Sequence, residues 1–81
     1  MLLRMGRNKE EPLFNCIEAA RVARGLSRQA LADAVAVHYQ TIGYLERGEY
    51  SPSLTLALRL AEVLGLSVQE LFSVRPFDPA P

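Results

Sequence analysis

The 81-residue chain holds a single cysteine, one histidine and no net charge, with nine Lys and Arg against nine Asp and Glu. One cysteine cannot build a disulfide framework, so nothing secures this fold covalently. No apolar run approaches the roughly 18 residues that a membrane span needs, and Met1-Leu2-Leu3-Arg4 is too brief and too soon interrupted for a signal peptide. Metal-ligand spacing is missing: His38 and Cys16 have no partners at zinc-like intervals, so neither a metal nor a cofactor is implied. Without a Gly-rich phosphate loop, a paired-carboxylate cleft or a His to activate Cys16, an enzyme is not expected. The missing basic surplus argues mildly against nucleic acid, whose binders usually carry one.

What is present is a globular composition, 49% hydrophobic and only 22% charged. The length allows one small, soluble domain, expected in the cytoplasm. Residues 1–12 (MLLRMGRNKEEP) lack any apolar period and read as an arm; residues 74–81 (VRPFDPAP) are a proline-rich tail that cannot extend a helix. Residues 13–73 form the domain between them.

Every element of that domain reads as helix. Pro12 suits the first position of a helix that passes through Ile17, Ala20 and Arg24 and stops at Gly25. Ser27 caps the next, whose Ala30, Leu31, Ala34 and Val35 recur at helical spacing. His38 or Tyr39 opens a third, with Thr41, Ile42 and Leu45, closed by Gly48. Ser53 caps a fourth from Leu54 to Leu64, and Ser67 with Glu70 makes a capping box for a fifth ending near Phe72. No segment alternates with period two for long enough to compete as a strand, so the class is all-α with five short helices. On the fourth helix Thr55, Arg59 and Glu62 form one narrow polar stripe, and a helix apolar on most faces is covered on most faces. A second copy of the chain would supply part of that cover.

Leu31, Ala32, Val35, Val37, Ile42 and Leu45 place two short helices around a tight turn, with Ala32 small where the axes cross. The segments GLS-x-x-x-LA (from Gly25), QTI-x-x-LE-x-G (from Gln40) and PSL-x-x-A-x-x-LA-x-x-LG-x-S-x-x-E-L-F (from Pro52) keep their mutual spacing. Over residues 13–73, about three-quarters of the chain, it resembles the Xre-type, phage lambda-repressor-like helix-turn-helix regulators. The resemblance implies a compact five-helix DNA-binding domain with its third helix in the major groove of double-stranded DNA. Tyr39, Gln40, Gly43 and Tyr44 would then face base edges, with Gln40 suited to pair bidentately with adenine. Arg28, Gln29, His38, Thr41 and Arg47 would meet phosphates, and Arg21 with Glu46 would form a buried ion pair between helices one and three. The protein implied is a transcriptional regulator, a repressor in the simplest mechanism, acting near the nucleoid as a homodimer on a palindromic operator, with no small-molecule ligand.

Departures from the family pattern bear on affinity more than fold. Ala36 stands at a turn position usually held by Gly, His38 replaces a Ser or Thr cap, Gly43 interrupts the recognition helix and Glu49 replaces a common Lys. Plainer readings stand beside the functional ones: Gln40 as an exposed polar residue, Tyr39 and Tyr44 as satellite packing or an interface pair, the arm as a solvated tail. The rival functions are a protein-interaction adaptor or antirepressor with weak DNA affinity, and the antitoxin of a toxin–antitoxin pair. Two dimer surfaces are open: Leu66, Val68 and Phe72 of helix five, or the surplus apolar face of helix four. The zero charge itself resolves by position. Residues 1–28 hold six basic and three acidic residues, and residues 29–81 hold three and six. Arg4, Arg7 and Lys9 would let the arm follow the backbone or enter a minor groove.

Overall fold

A computed structural model describes residues 12–77. The basic arm residues Arg4, Arg7 and Lys9 lie outside them, as does the end of the tail. Five helices follow in order: α1 (Ile17–Ala23), α2 (Arg28–Val35), α3 (Tyr39–Glu46), α4 (Leu54–Leu64) and α5 (Val68–Leu71). Ser27, Ser53 and Ser67 cap α2, α4 and α5 by accepting from the N–H three residues on, and Ser67 with Glu70 completes the capping box.

The first helix begins later than Pro12 would have it. Phe14–Asn15 form a short strand, β1, antiparallel to β2 (Phe72–Ser73), so the helical fold carries a minimal two-stranded sheet that the sequence reading had excluded. The cause is Asn15. Its Oδ1 accepts from the Ile17 N–H at 2.9 Å while its Nδ2 donates to the Leu45 carbonyl at 2.8 Å. Such side-chain bonding to nearby backbone competes with helix and starts α1 two residues on. The Cys16 N–H donates to the Leu71 carbonyl at 3.0 Å, extending the tie between the two ends of the domain.

One core gathers all five helices. Ile17, Leu31, Ile42, Leu45, Leu60 and Leu71 are fully buried side chains drawn from α1 to α5. Ala32 is buried where α2 meets α3, and its small size lets the two helices approach closely. On α4 the buried residues are Ala57, Leu60, Ala61 and Leu64, whereas Leu54 and Leu58 are 70% and 54% exposed. Much of the apolar surface of α4 is therefore uncovered within one copy. Among the described residues no helix is long and apolar enough to cross a membrane.

Candidate nucleic-acid interface

The turn between α2 and α3 fixes how the third helix is presented. Ala36 closes α2 with φ +62° and ψ +44°, so that its N–H and that of Val37 reach back to the carbonyls of Asp33 and Ala32. At Gly25, Gly48 and Gly65 the same left-handed closure is made without a Cβ, and among the described residues Ala36 is the one non-glycine residue with positive φ. Two residues later His38 caps α3: its Nδ1 accepts from the Gln40 N–H at 3.1 Å, and its ring stacks on Tyr39 with centroids 4.9 Å apart. The imidazole thus does the work of a Ser or Thr cap and leaves Nε2 facing outward as a donor.

With Ile42 and Leu45 turned into the core, the opposite side of α3 is left to solvent. Tyr39 and Tyr44 are each 46% exposed, Gln40 lies between them in the helical register, and Thr41 is half-buried. Gly43 is buried but contributes no side chain; it forms the floor of a shallow recess of about 350 Å³ lined by Arg28, Tyr39, Gln40, Gly43, Tyr44 and Arg47. All four residues expected to face base edges therefore meet in one recess, with two of the expected phosphate contacts at its rim. His38 and Thr41 sit at the α3 N-terminus, where the N–H groups of Gln40 and Thr41 already donate to the His38 side chain and carbonyl. Gln29 is turned along α2, its Nε2 donating to Asp33 Oδ1 at 2.8 Å, so its amide is already engaged beside a carboxylate.

Each rim arginine has a carboxylate partner. Glu46 is 3% exposed at its side chain and accepts from Arg21 Nε at 2.7 Å through Oε2 and from Arg28 Nε at 2.8 Å through Oε1. Arg21 is itself buried and also donates to the Leu26 carbonyl at 2.9 Å. The resemblance anticipates the Arg21–Glu46 pair but not the second oxygen, which brings Arg28 to the same carboxylate. Hydrogen bonding to Glu46, reinforced by its charge, holds the Arg28 guanidinium still more firmly protonated than usual. Glu18 lies 3.7 Å from Arg28 Nη2. Arg47 is forked on Glu49, through Nε at 3.1 Å and Nη2 at 3.3 Å, and its guanidinium stands 5.3 Å from the Tyr44 ring centre. Glu18 and Glu49 thus partner the two rim arginines although sequence reasoning gave neither a positive role. A carboxylate two or ten residues from its arginine lies outside the i,i+3 and i,i+4 helical spacing, so spacing carries no signal for it.

The comparisons with known proteins follow the same segment. The Helix-turn-helix family pattern, HTH_3, matches residues 17–71, from the start of α1 to the end of α5. The chain belongs to this helix-turn-helix family. It is 46% identical over 57 residues to an HTH-type transcriptional regulator from Methanothermobacter thermautotrophicus, covering 69% of this chain and 83% of that one. It is 39% identical over 56 residues to an HTH-type transcriptional regulator from Archaeoglobus fulgidus, covering 69% and 80% respectively. Among solved structures, the restriction-modification controller protein C.AhdI from Aeromonas hydrophila superposes with a TM-score of 0.63 at 33% identity, over 67% of this chain and 82% of that chain. The family is one of DNA-binding transcriptional regulators. Within this helix-turn-helix protein, α2 and α3 are the two helices of the motif, and the recess lies on the outward face of the second.

Proposed function

We propose that the protein is a sequence-specific regulator that lays α3 in the major groove of double-stranded DNA as a homodimer on a palindromic operator. The observation that carries this is the outward face of α3, where aromatic and amide side chains converge between two arginines. An α-helix fits the major groove, and side chains near its N-terminus reach base edges while the preceding helix crosses the backbone. Gln40 takes adenine, Tyr39 and Tyr44 pack on thymine methyls, and Arg28 meets phosphate. His38 Nε2 adds to the phosphate contacts. Arg47 stands at the same rim.

A second copy covers the apolar groove of about 800 Å³ between α4 and α5, lined by Leu54, Leu58, Ala61, Leu66 and Val68 among others. This joins the two dimer surfaces left open by sequence into one. Two-fold symmetry then sets the recognition helices about 34–36 Å apart on half-sites one turn apart. Occlusion of a promoter, hence repression in the cytoplasm, is the simplest consequence. The same groove also favours a second reading, an adaptor that docks a different protein there and binds DNA weakly.

Selection from a pool of random duplexes, followed by titration of the enriched sequence against salt, separates the two. A regulator enriches a palindromic duplex and loses affinity steeply with salt, with a log–log slope of about −0.9 per phosphate neutralised. Enrichment of nothing, or a flat slope, favours the adaptor.

A further inference from the structure

Arg47 is placed differently from an arginine on the flank of the motif. Its Nη1 lies 3.3 Å from the point where a Cβ on Gly43 would sit, so the guanidinium folds back along α3 to the level of a residue four positions earlier. Four residues of helix are about 6 Å. The head of Arg47 therefore reaches in from the rim over Gly43, beside Tyr44, and not beyond the end of the helix. Glu49 takes the Nε and Nη2 side of the guanidinium. Among the described residues no protein acceptor takes the end-on edge formed by Nη1 and the second N–H of Nη2, and Arg47 lines the recess. A fixed pair of donors is matched by two adjacent acceptors, and in the major groove only guanine, through O6 and N7, presents both.

We infer that Arg47 reads the edge of a guanine, with Glu49 and Gly43 as positioning residues that hold it for that contact. Glu49 fixes the rotamer before DNA arrives and remains bound, since the two edges of the guanidinium are used separately. Gly43, a poor residue for the interior of a helix, leaves the space in which the guanidinium lies; any side chain there meets Arg47 first. This assignment rests on the DNA-reading function proposed above and moves Arg47 from phosphate contact to base recognition.

The test compares the wild-type chain with Arg47→Ala, Glu49→Gln and Gly43→Ala by selection from random duplexes, with thermal melting of each. The enriched duplex is then titrated with 7-deazaguanine, which lacks the N7 acceptor, at each guanine in turn. The expected result is one G·C pair per recognition helix at which Arg47→Ala loses about fivefold to a hundredfold discrimination. At that position 7-deazaguanine weakens the wild-type chain and leaves Arg47→Ala unaffected. Glu49→Gln and Gly43→Ala lose part of the preference at the same pair alone, and Gly43→Ala melts no lower than the wild type, which excludes unfolding as the cause. Equal weakening of every duplex by Arg47→Ala, with a salt slope smaller by about 0.9, would overturn the inference in favour of a phosphate contact. Enrichment of no duplex by the wild-type chain would overturn the DNA-reading function, and this inference with it.

Discussion

Arg21 and Glu46 meet at 2.7 Å with side chains 9% and 3% exposed, joining α1 to the C-terminal end of α3. The buried carboxylate also accepts from Arg28, so one residue of α3 fixes the positions of both preceding helices. Taking two charges out of water is costly, and the pair is tolerable because both carboxylate oxygens are bonded and Arg21 has the Leu26 carbonyl as a further acceptor. Removing one partner strands the other. Arg21→Ala is expected to destabilise the fold by about 3–5 kcal/mol, a large part of what a domain of this size possesses. Urea unfolding monitored by circular dichroism checks it, and a loss below about 1 kcal/mol, the level of a surface pair, would contradict the description of a buried pair.

Ala36 carries the strain of the turn. A Cβ at φ +62° crowds the following carbonyl, costing about 1–2 kcal/mol in the left-handed region, partly offset by the greater freedom that glycine has when unfolded. Ala36→Gly should therefore raise stability by about 0.5–1 kcal/mol, read as a higher urea midpoint at unchanged slope. Ala36→Val should lower it. A destabilised Ala36→Gly would mean that the turn is not strained.

The single thiol makes a pH-dependent prediction. Cys16 is half-buried and its S–H donates to the Glu70 carbonyl at 3.4 Å. Burial raises its pKa above the ordinary thiol value, with a smaller rise from the Glu70 charge against a lowering by a backbone hydrogen bond. The thiolate is the reactive form, so alkylation by iodoacetamide at neutral pH should be slower than in the urea-unfolded chain. A folded pKa above the unfolded one stabilises fully below the ordinary thiol value, about 8.5, and that contribution is lost as pH rises through the raised value. Equal alkylation rates in folded and unfolded chains would contradict it.

Much of this architecture is legible in the residues themselves. Ser27, Ser53 and Ser67 mark helix starts, and Gly25, Gly48 and Gly65 mark ends, because capping chemistry is local. The convergence of Gln40, Tyr39 and Tyr44 is also local, being one face of one helix. The two-residue strands at Phe14 and Phe72 are not legible, since so short a segment shows no period and forms only when the two ends of the domain meet. Nor is the attachment of Arg28 to Glu46, which lies across two helices and depends on how α2 crosses α3. Motif position places Arg47 near a phosphate, whereas in the folded domain its side chain runs back over Gly43.

The α4–α5 groove yields a prediction about assembly. With Leu58 lining the groove and 54% exposed, Leu58→Glu should leave the melting temperature of the dilute monomer nearly unchanged and abolish any concentration-dependent rise in mass measured by sedimentation. Affinity for the palindromic duplex should fall with it, while affinity for a single half-site stays. A dimer that survives Leu58→Glu would move the interface elsewhere.

Binding of the selected duplex by Gln40→Ala and Arg28→Ala, measured across base substitutions and salt concentrations, tests the central claim most directly. Gln40→Ala should lose about 1–3 kcal/mol of discrimination at a single base pair per half-site and retain the salt slope. Arg28→Ala should weaken all sequences alike and reduce the slope by about 0.9. If both variants instead weaken every sequence equally without altering preference, α3 does not read the groove through this face.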